Sequence, residues 1–391
     1  MRHFKLPAAT LALAVAAFAL AGCSSLPSLN PIDWFSSAPT GPKPAELPPL
    51  SNPQPVRTLW QTNIGPAGIF IFSPAVSGDS IYAAARDGSV TRLEAATGKV
   101  IWKVPAGAQL SGGVGTDGKL VAVGTDKGEL IVLDADKGTL RWRARVSSEI
   151  LAAPKVSGGI VLARTADSRI FAFDAADGKR KWVYQRAAAS LIIRSPAGVT
   201  VHEGTLFAGF SGGKMVALQL ETGALRWEVS VSQPKGATEL ERVSDLSGDP
   251  VVAGREVCAA SYQGRAACYE WQNGNQVWAR EMSTLNGMSV DARYAYVADE
   301  KGAVHSLDRT NGRSVWKQDR LAYRELTLAL AVGGEVVFGD LQGFVHFVAR
   351  DSGAFVARGV TDGSKIRAAP VRVANGVLIQ TLNGGLYLMA L

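Results

Sequence analysis

Three cysteines and four histidines are present among 391 residues, a small stock for nucleophilic or metal chemistry. A thiol acts as nucleophile, metal ligand or half of a disulfide. Cys258 and Cys268 stand in "EVCAASYQGRAACYE", with Gly264 between them. A symmetric hairpin turning near position 263 sets the two thiols opposite each other, where Cα atoms of a non-hydrogen-bonded pair lie about 4.5 Å apart. In an oxidising compartment that spacing suits a disulfide. The other reading is two small thiols buried at a packed interface. His202, His305 and His346 are dispersed, and "AVHSL" and "FVHFV" put the last two at equivalent places in a repeating pattern. There is no HExxH, phosphate loop or adjacent Cys pair. An acid–base pair assembled from distant residues stays open.

The third thiol, Cys23, closes the stretch "LAGC". Arg2 and Lys5 precede an apolar run from Ala8 to Leu20, the pattern of a secretory signal peptide. The run is too short and Ala-rich for a transmembrane helix. "LAGC" resembles the lipobox of bacterial lipoproteins. That resemblance implies that residues 1–22 are cleaved off and that Cys23 is acylated on its thiol and new amino group. Ser24, where an Asp would imply retention at the inner membrane, implies the periplasmic face of the outer membrane. Each buried acyl methylene contributes about 0.8 kcal/mol to such an anchor. Residues 23–55 are the acylated Cys and a tether, with nine of the 18 prolines between 24 and 55. Such chain is extended, about 3.1 Å per residue, and cannot bury a core. The mature chain keeps 39 basic and 34 acidic residues. They are interspersed, with no basic tract carrying aromatics, so nucleic acid is not indicated as a partner.

The elements that must position these residues are written as a repeat. "EAATGKVIW" (94–102), "DADKGTLRW" (134–142) and "DAADGKRKW" (174–182) share an acid, a Gly four places on and a Trp four places later. Worn copies end at Trp227, Trp278 and Trp316, and a last copy has Ala357 for Trp; Trp60 fits one unit earlier. The mean spacing is about 42 residues without helical periodicity, which is the period of a propeller blade of four strands. After Trp142, "AAPKV", "GIVLAR", "RIFAFDA" and "KRKWVY" read as strands A to D, divided by Gly, Asp and Ser turns. The acid and Gly form the C-to-D hairpin, Gly supplying a positive φ. The Trp lies on strand D and packs between blades, its N–H finding a backbone acceptor.

The C-terminal "AAPVRV", "GVLIQTL" and "GLYLMAL" give strands A, B and C and then the chain stops. "VRTLWQT" (56–62) supplies the missing strand D. The expected fold over 56–391 is therefore all-β: an eight-bladed β-propeller, four antiparallel strands per blade, closed by the N-terminal strand completing the C-terminal blade.

The repeat resembles the docking motif of the quinoprotein (PQQ) propellers. With the lipobox, the Pro-rich tether, "VSSEILAAP" (146–154), "SLIIRS" (190–195), "ATELERVSDLSGDPVV" (237–252) and "FGDLQGFVH" (338–346), the chain resembles the BamB family, the propeller lipoproteins of the outer-membrane β-barrel assembly machinery. The longest Trp-to-Trp intervals, 182–227 and 227–278, are consecutive and carry two of these segments. Apolar "LIIR" (191–194) within such a connection suggests a protein interface; the other reading tucks Leu191 to Ile193 under their own blade. The resemblance implies a non-catalytic scaffold without a cofactor, which binds the polypeptide-transport-associated domains of the barrel-forming subunit, BamA. The family's contact positions fall on Leu191, Ile193, Arg194 and Asp245. A second acidic position falls on Ser247, a departure from the pattern, with Asp249 two places on. Contact with unfolded barrel precursors, by sequence-tolerant strand addition at a blade edge, is a further expectation. The alternatives are a PQQ-dependent periplasmic dehydrogenase or a ligand-binding propeller.

Overall fold

Strands B and C of each blade are near-continuous apolar runs because both faces of the sheet are covered. In "IVLART" and "RIFAFD", Ile160–Thr165 and Arg169–Asp174, nearly every side chain between the ends is buried. Strand D, the outer edge, alternates: Arg180–Gln185 shows every second residue to water. The computed structural model describes residues 42–187, 191–374 and 376–391. The expected signal peptide, Cys23 and the first part of the expected tether lie outside the described residues.

Eight four-stranded antiparallel sheets succeed one another along the chain. Blades 1 to 7 cover residues 75–105, 112–145, 155–185, 199–230, 246–281, 288–318 and 330–360. Blade 8 takes strands A to C from 371–390 and strand D from Arg57–Asn63, which pairs antiparallel with Gly385–Ala390. The A strands of neighbouring blades touch and form the inner ring.

The repeat holds neighbouring blades together in one way. The indole N–H groups of Trp60, Trp102, Trp142 and Trp182 donate to the carbonyls of Ala95, Ala135, Ala175 and Leu220, at 3.0, 3.2, 2.9 and 2.9 Å. Those of Trp227, Trp278 and Trp316 donate to Trp271, Arg309 and Arg350 at 3.0, 2.6 and 2.7 Å. Each acceptor lies on the next blade's C-to-D hairpin. There Gly178 has φ +73°, its N–H donates to Asp174 at 2.9 Å, and the Trp142 ring lies flush on its Cα. The Asp174 carboxylate accepts from the N–H of Ala176 at 2.9 Å.

A feature not foreseen from sequence aims these rings. In the C–D pairing of every blade the register shifts by one residue beside the Trp position: Ala172 faces Trp182, but Phe173 faces Arg180. The bulge turns the ring towards the neighbouring blade. Ala357 is explained by ring closure. Strands C and D of blade 8 come from opposite ends of the chain, so blade 8 has no C-to-D hairpin on which a Trp of blade 7 could dock. An apolar cluster including Phe347, Ala357, Ile366, Ile379, Tyr387 and Met389 fills that interface instead.

The three histidines among the described residues all make contacts within the fold. His305 and His346 bond through Nε2 to Asp299 and Asp340 of their own B-to-C turns, both at 2.9 Å. His202 stands edge-on to Trp271, ring centroids 5.2 Å apart. Cys258 and Cys268 face each other across strands B and C of blade 5, and their sulfurs are bonded.

The tether differs from a wholly free chain. Its last residues, from Pro44, belong to the same compact unit as the propeller. The Ala45 N–H donates to Ala322 at 2.8 Å and the Gln54 N–H to Val356 at 3.0 Å. Arg324 and Arg358 donate to the carbonyls of Ala45 and Pro48 at 2.9 and 3.0 Å. Leu47 packs beside Tyr296, Leu326 and Phe338. Extended Pro-rich chain leaves its carbonyls bare, and two arginines supply the donors.

Candidate functional site

Four antiparallel strands put the D-to-A connections and the B-to-C turns of all blades on one face. The two longest connections there, 186–198 and 231–245, flank blade 4. Asp245 ends the second and is buried. Its Oδ2 accepts from the Ile193 N–H at 2.6 Å and its Oδ1 from the Gly212 N–H at 3.2 Å. One carboxylate thus ties both connections to the B-to-C turn of blade 4. Burial raises its pKa, opposed by these two N–H groups and by the Arg164 charge.

The same connection is pinned again a few residues on. The Gly198 N–H donates to Asp249 Oδ1 at 2.5 Å, and Arg164 Nη1 donates to the Ala197 carbonyl at 3.1 Å. Burial pulls Arg164 down to about 10, against the pull of Asp249 and Asp245. With its backbone held from 193 to 198, the loop presents Leu191 and Ile192 to water, 43% and 41% exposed. Ile193 is half-buried and roofs a cavity of about 250 Å³ walled by Leu151, Phe210 and Arg164. Arg194 is exposed and grips Glu149 with two bonds, Nε to Oε1 at 2.8 Å and Nη2 to Oε2.

Leu191, Ile193, Arg194 and Asp245 therefore meet in one patch, in two roles. Leu191 and Arg194 face outwards, while Asp245 lies beneath and positions the loop. Ser247 is buried, its hydroxyl donating to the Thr284 carbonyl at 2.8 Å. Asp249, two places on, has residue surface in water, but its carboxylate turns inward onto the Gly198 N–H. Sequence reasoning missed Glu149, Arg164, Ile69 and Phe70. Glu149 sat inside the quoted "VSSEILAAP", and "GIFIF" (68–72) is an apolar run in a connection just as "LIIR" is. Nothing local marks Arg164, whose partners come from three other segments.

The patch offers an apolar tip, a rigid backbone and one exposed guanidinium. That is the composition of a protein-docking surface, with aliphatic anchors inside a polar rim. Comparison with known proteins identifies the family. The family model described as "Outer membrane protein assembly factor BamB" matches residues 57–111 and 86–318. The chain is 39% identical over 389 residues to the outer membrane protein assembly factor BamB of Burkholderia pseudomallei, covering 99% of both chains. The crystal structure of BamB from Moraxella catarrhalis superposes with a TM-score of 0.79 at 26% identity, over 86% of this chain and all of that one. The quinohemoprotein alcohol dehydrogenase of Comamonas testosteroni has a TM-score of 0.67 at 16% identity, over 85% of this chain and 76% of that one. This last likeness is one of fold alone.

Proposed function

The chain belongs to the BamB family of outer-membrane protein assembly factors, and from this premise we propose that it is a non-catalytic scaffold of that machinery which docks the barrel-forming subunit, BamA, through the loop 191–194. The observation that carries the docking is the loop's construction. Two backbone anchors, at Asp245 and Asp249, hold adjoining aliphatic side chains in water. A rigid exposed anchor loses little conformational entropy on binding. Leu191 enters the partner, Arg194 supplies charge at the rim, Ile193 packs beneath, and Asp245 keeps the loop in shape. The polypeptide-transport-associated domains of BamA are the part docked. Acylated Cys23 holds the assembly to the periplasmic face of the outer membrane. Unfolded barrel precursors meet the exposed D-strand edges.

The test is co-purification from solubilised outer membranes. Leu191→Asp puts a charge where an apolar contact is needed, and it is expected to abolish recovery of the barrel subunit while the melting temperature stays within about 2 °C. Full recovery with a folded Leu191→Asp protein contradicts the docking.

A further inference from the structure

The connection 64–74, between blades 8 and 1, holds Ile69 71% exposed, yet this loop is not loose. The Ala67 N–H donates to Leu382 at 2.9 Å, the Pro66 carbonyl accepts from the Arg86 N–H at 2.9 Å, and Arg367 donates to the Ile69 carbonyl at 2.8 Å. The adjacent Phe70 is buried, its ring centroid 4.5 Å from the Arg86 guanidinium and 5.7 Å from that of Arg194.

The contact between Phe70 and Arg194 has a geometric meaning. Their connections, 8-to-1 and 3-to-4, are three blades apart in a ring of eight. Loops so far apart along the rim meet only by leaning over the axis. The two connections therefore bridge the mouth of the ring. Beside the bridge lies an open cleft of about 490 Å³ lined by Ile69, Phe70, Arg86, Asp126, Lys127 and Arg194. Arg86 pairs with Asp126 at 2.7 Å and Arg194 with Glu149. Lys127, exposed, has no ion pair among the described residues. The cleft thus offers one unspent positive charge beside one rigidly displayed aliphatic side chain.

We infer that the docking surface does not end at Arg194 but continues across the mouth of the ring onto Ile69 and Lys127, and that it receives from the same partner an edge presenting an aliphatic side chain next to a carboxylate. This rests on the reading of 191–194 as the docking loop. Ile69 supplies a second apolar anchor on fixed backbone. Lys127 meets the incoming carboxylate in a cleft that docking closes off from water, where a charge pair is stronger than at an open rim. Arg86 and Arg194 keep their own acids, Asp126 and Glu149, so Lys127 carries the net charge of the cleft. A partner seated this way caps the axial opening, its contact running from the connection before blade 1 to the one after blade 3.

The experiment titrates the full-length mature lipoprotein, in detergent, with the purified barrel-forming subunit at two salt concentrations. Ile69→Ser and Lys127→Glu lie on exposed surface and leave the fold intact. Each is expected to weaken binding about tenfold, and Lys127→Glu also to flatten the salt dependence. Leu191→Asp is run beside them. If Leu191→Asp abolishes binding while Ile69→Ser and Lys127→Glu bind as wild type does, the extension across the mouth is overturned and the docking loop stands. If Leu191→Asp also binds as wild type does, the docking reading itself falls.

Discussion

A Cβ on Gly178 would come within 2.7 Å of the Trp142 ring, on a backbone whose φ is +73°. Gly98, Gly138, Gly223, Gly274, Gly312 and Gly353 meet the same two demands against their own Trp. The Gly of the repeat is thus half of an inter-blade contact as well as a turn residue. Gly178→Ala is expected to cost about 1–3 kcal/mol and Trp142→Ala about 3–5 kcal/mol. The double variant should cost less than the sum, because deleting the ring also removes what the new Cβ would strike. Urea unfolding of the four proteins checks this. His346 carries a second residue-level prediction. It is buried against Asp340, with Arg324 and Arg358 nearby. Burial holds its pKa below the usual 6.5; Asp340 opposes this and the two arginines assist. A lowered histidine contributes stability that is complete above the unfolded value and is lost as pH falls through the folded one. Asp340 is lowered too, so its own contribution is lost only below 3.8. The wild-type melting temperature should therefore fall between pH 6.5 and 5 more steeply than that of His346→Gln. Parallel profiles contradict the neutral buried imidazole.

At the scale of elements, the strands and their order were legible in the sequence because the Gly and Trp spacing is itself the blade-to-blade contact. Closure by Arg57–Asn63 followed from Trp60 standing alone at one end and three strands lacking a fourth at the other. The bulge beside each Trp was not legible, since one extra residue leaves the Gly-to-Trp spacing unchanged. Nor was the burial of Asp245: "ELERVSDLSGD" reads as solvated, and only tertiary packing brings the N–H groups of Ile193 and Gly212 to that carboxylate. The strap formed by residues 44–55 escaped for a similar reason. Pro-rich chain has the same composition docked or free, and the arginines that hold it come from blade 7 and the connection leading into it. The strap predicts protection of the Ala45 and Gln54 amides from hydrogen exchange. Leu47→Asp combined with Arg358→Ala should bring both amides to free-chain rates while the amides of blade 7 stay protected. Unprotected amides in the wild type would show that the strap does not hold in solution.

At the scale of the whole molecule, eight blades share one backbone plan, and departures from it mark what the ring is for. The departures cluster on the D-to-A face over blades 1 to 4, where the connections 64–74 and 186–198 display Ile69, Leu191 and Ile192 on fixed backbone. The opposite face carries the hairpins that hold the ring together, so variation there disturbs the fold before it changes a surface. A scaffold of this kind works by being rigid and by presenting one face to its partner. The most direct test replaces Leu191 with a photo-crosslinking residue in living cells, with Leu225 replaced likewise as a control. Leu225 is 53% exposed on the outer strand of blade 4, away from the D-to-A face. Illumination should join the barrel-forming subunit to position 191 and not to position 225. Crosslinks to that subunit from 225 with none from 191 would contradict the docking face.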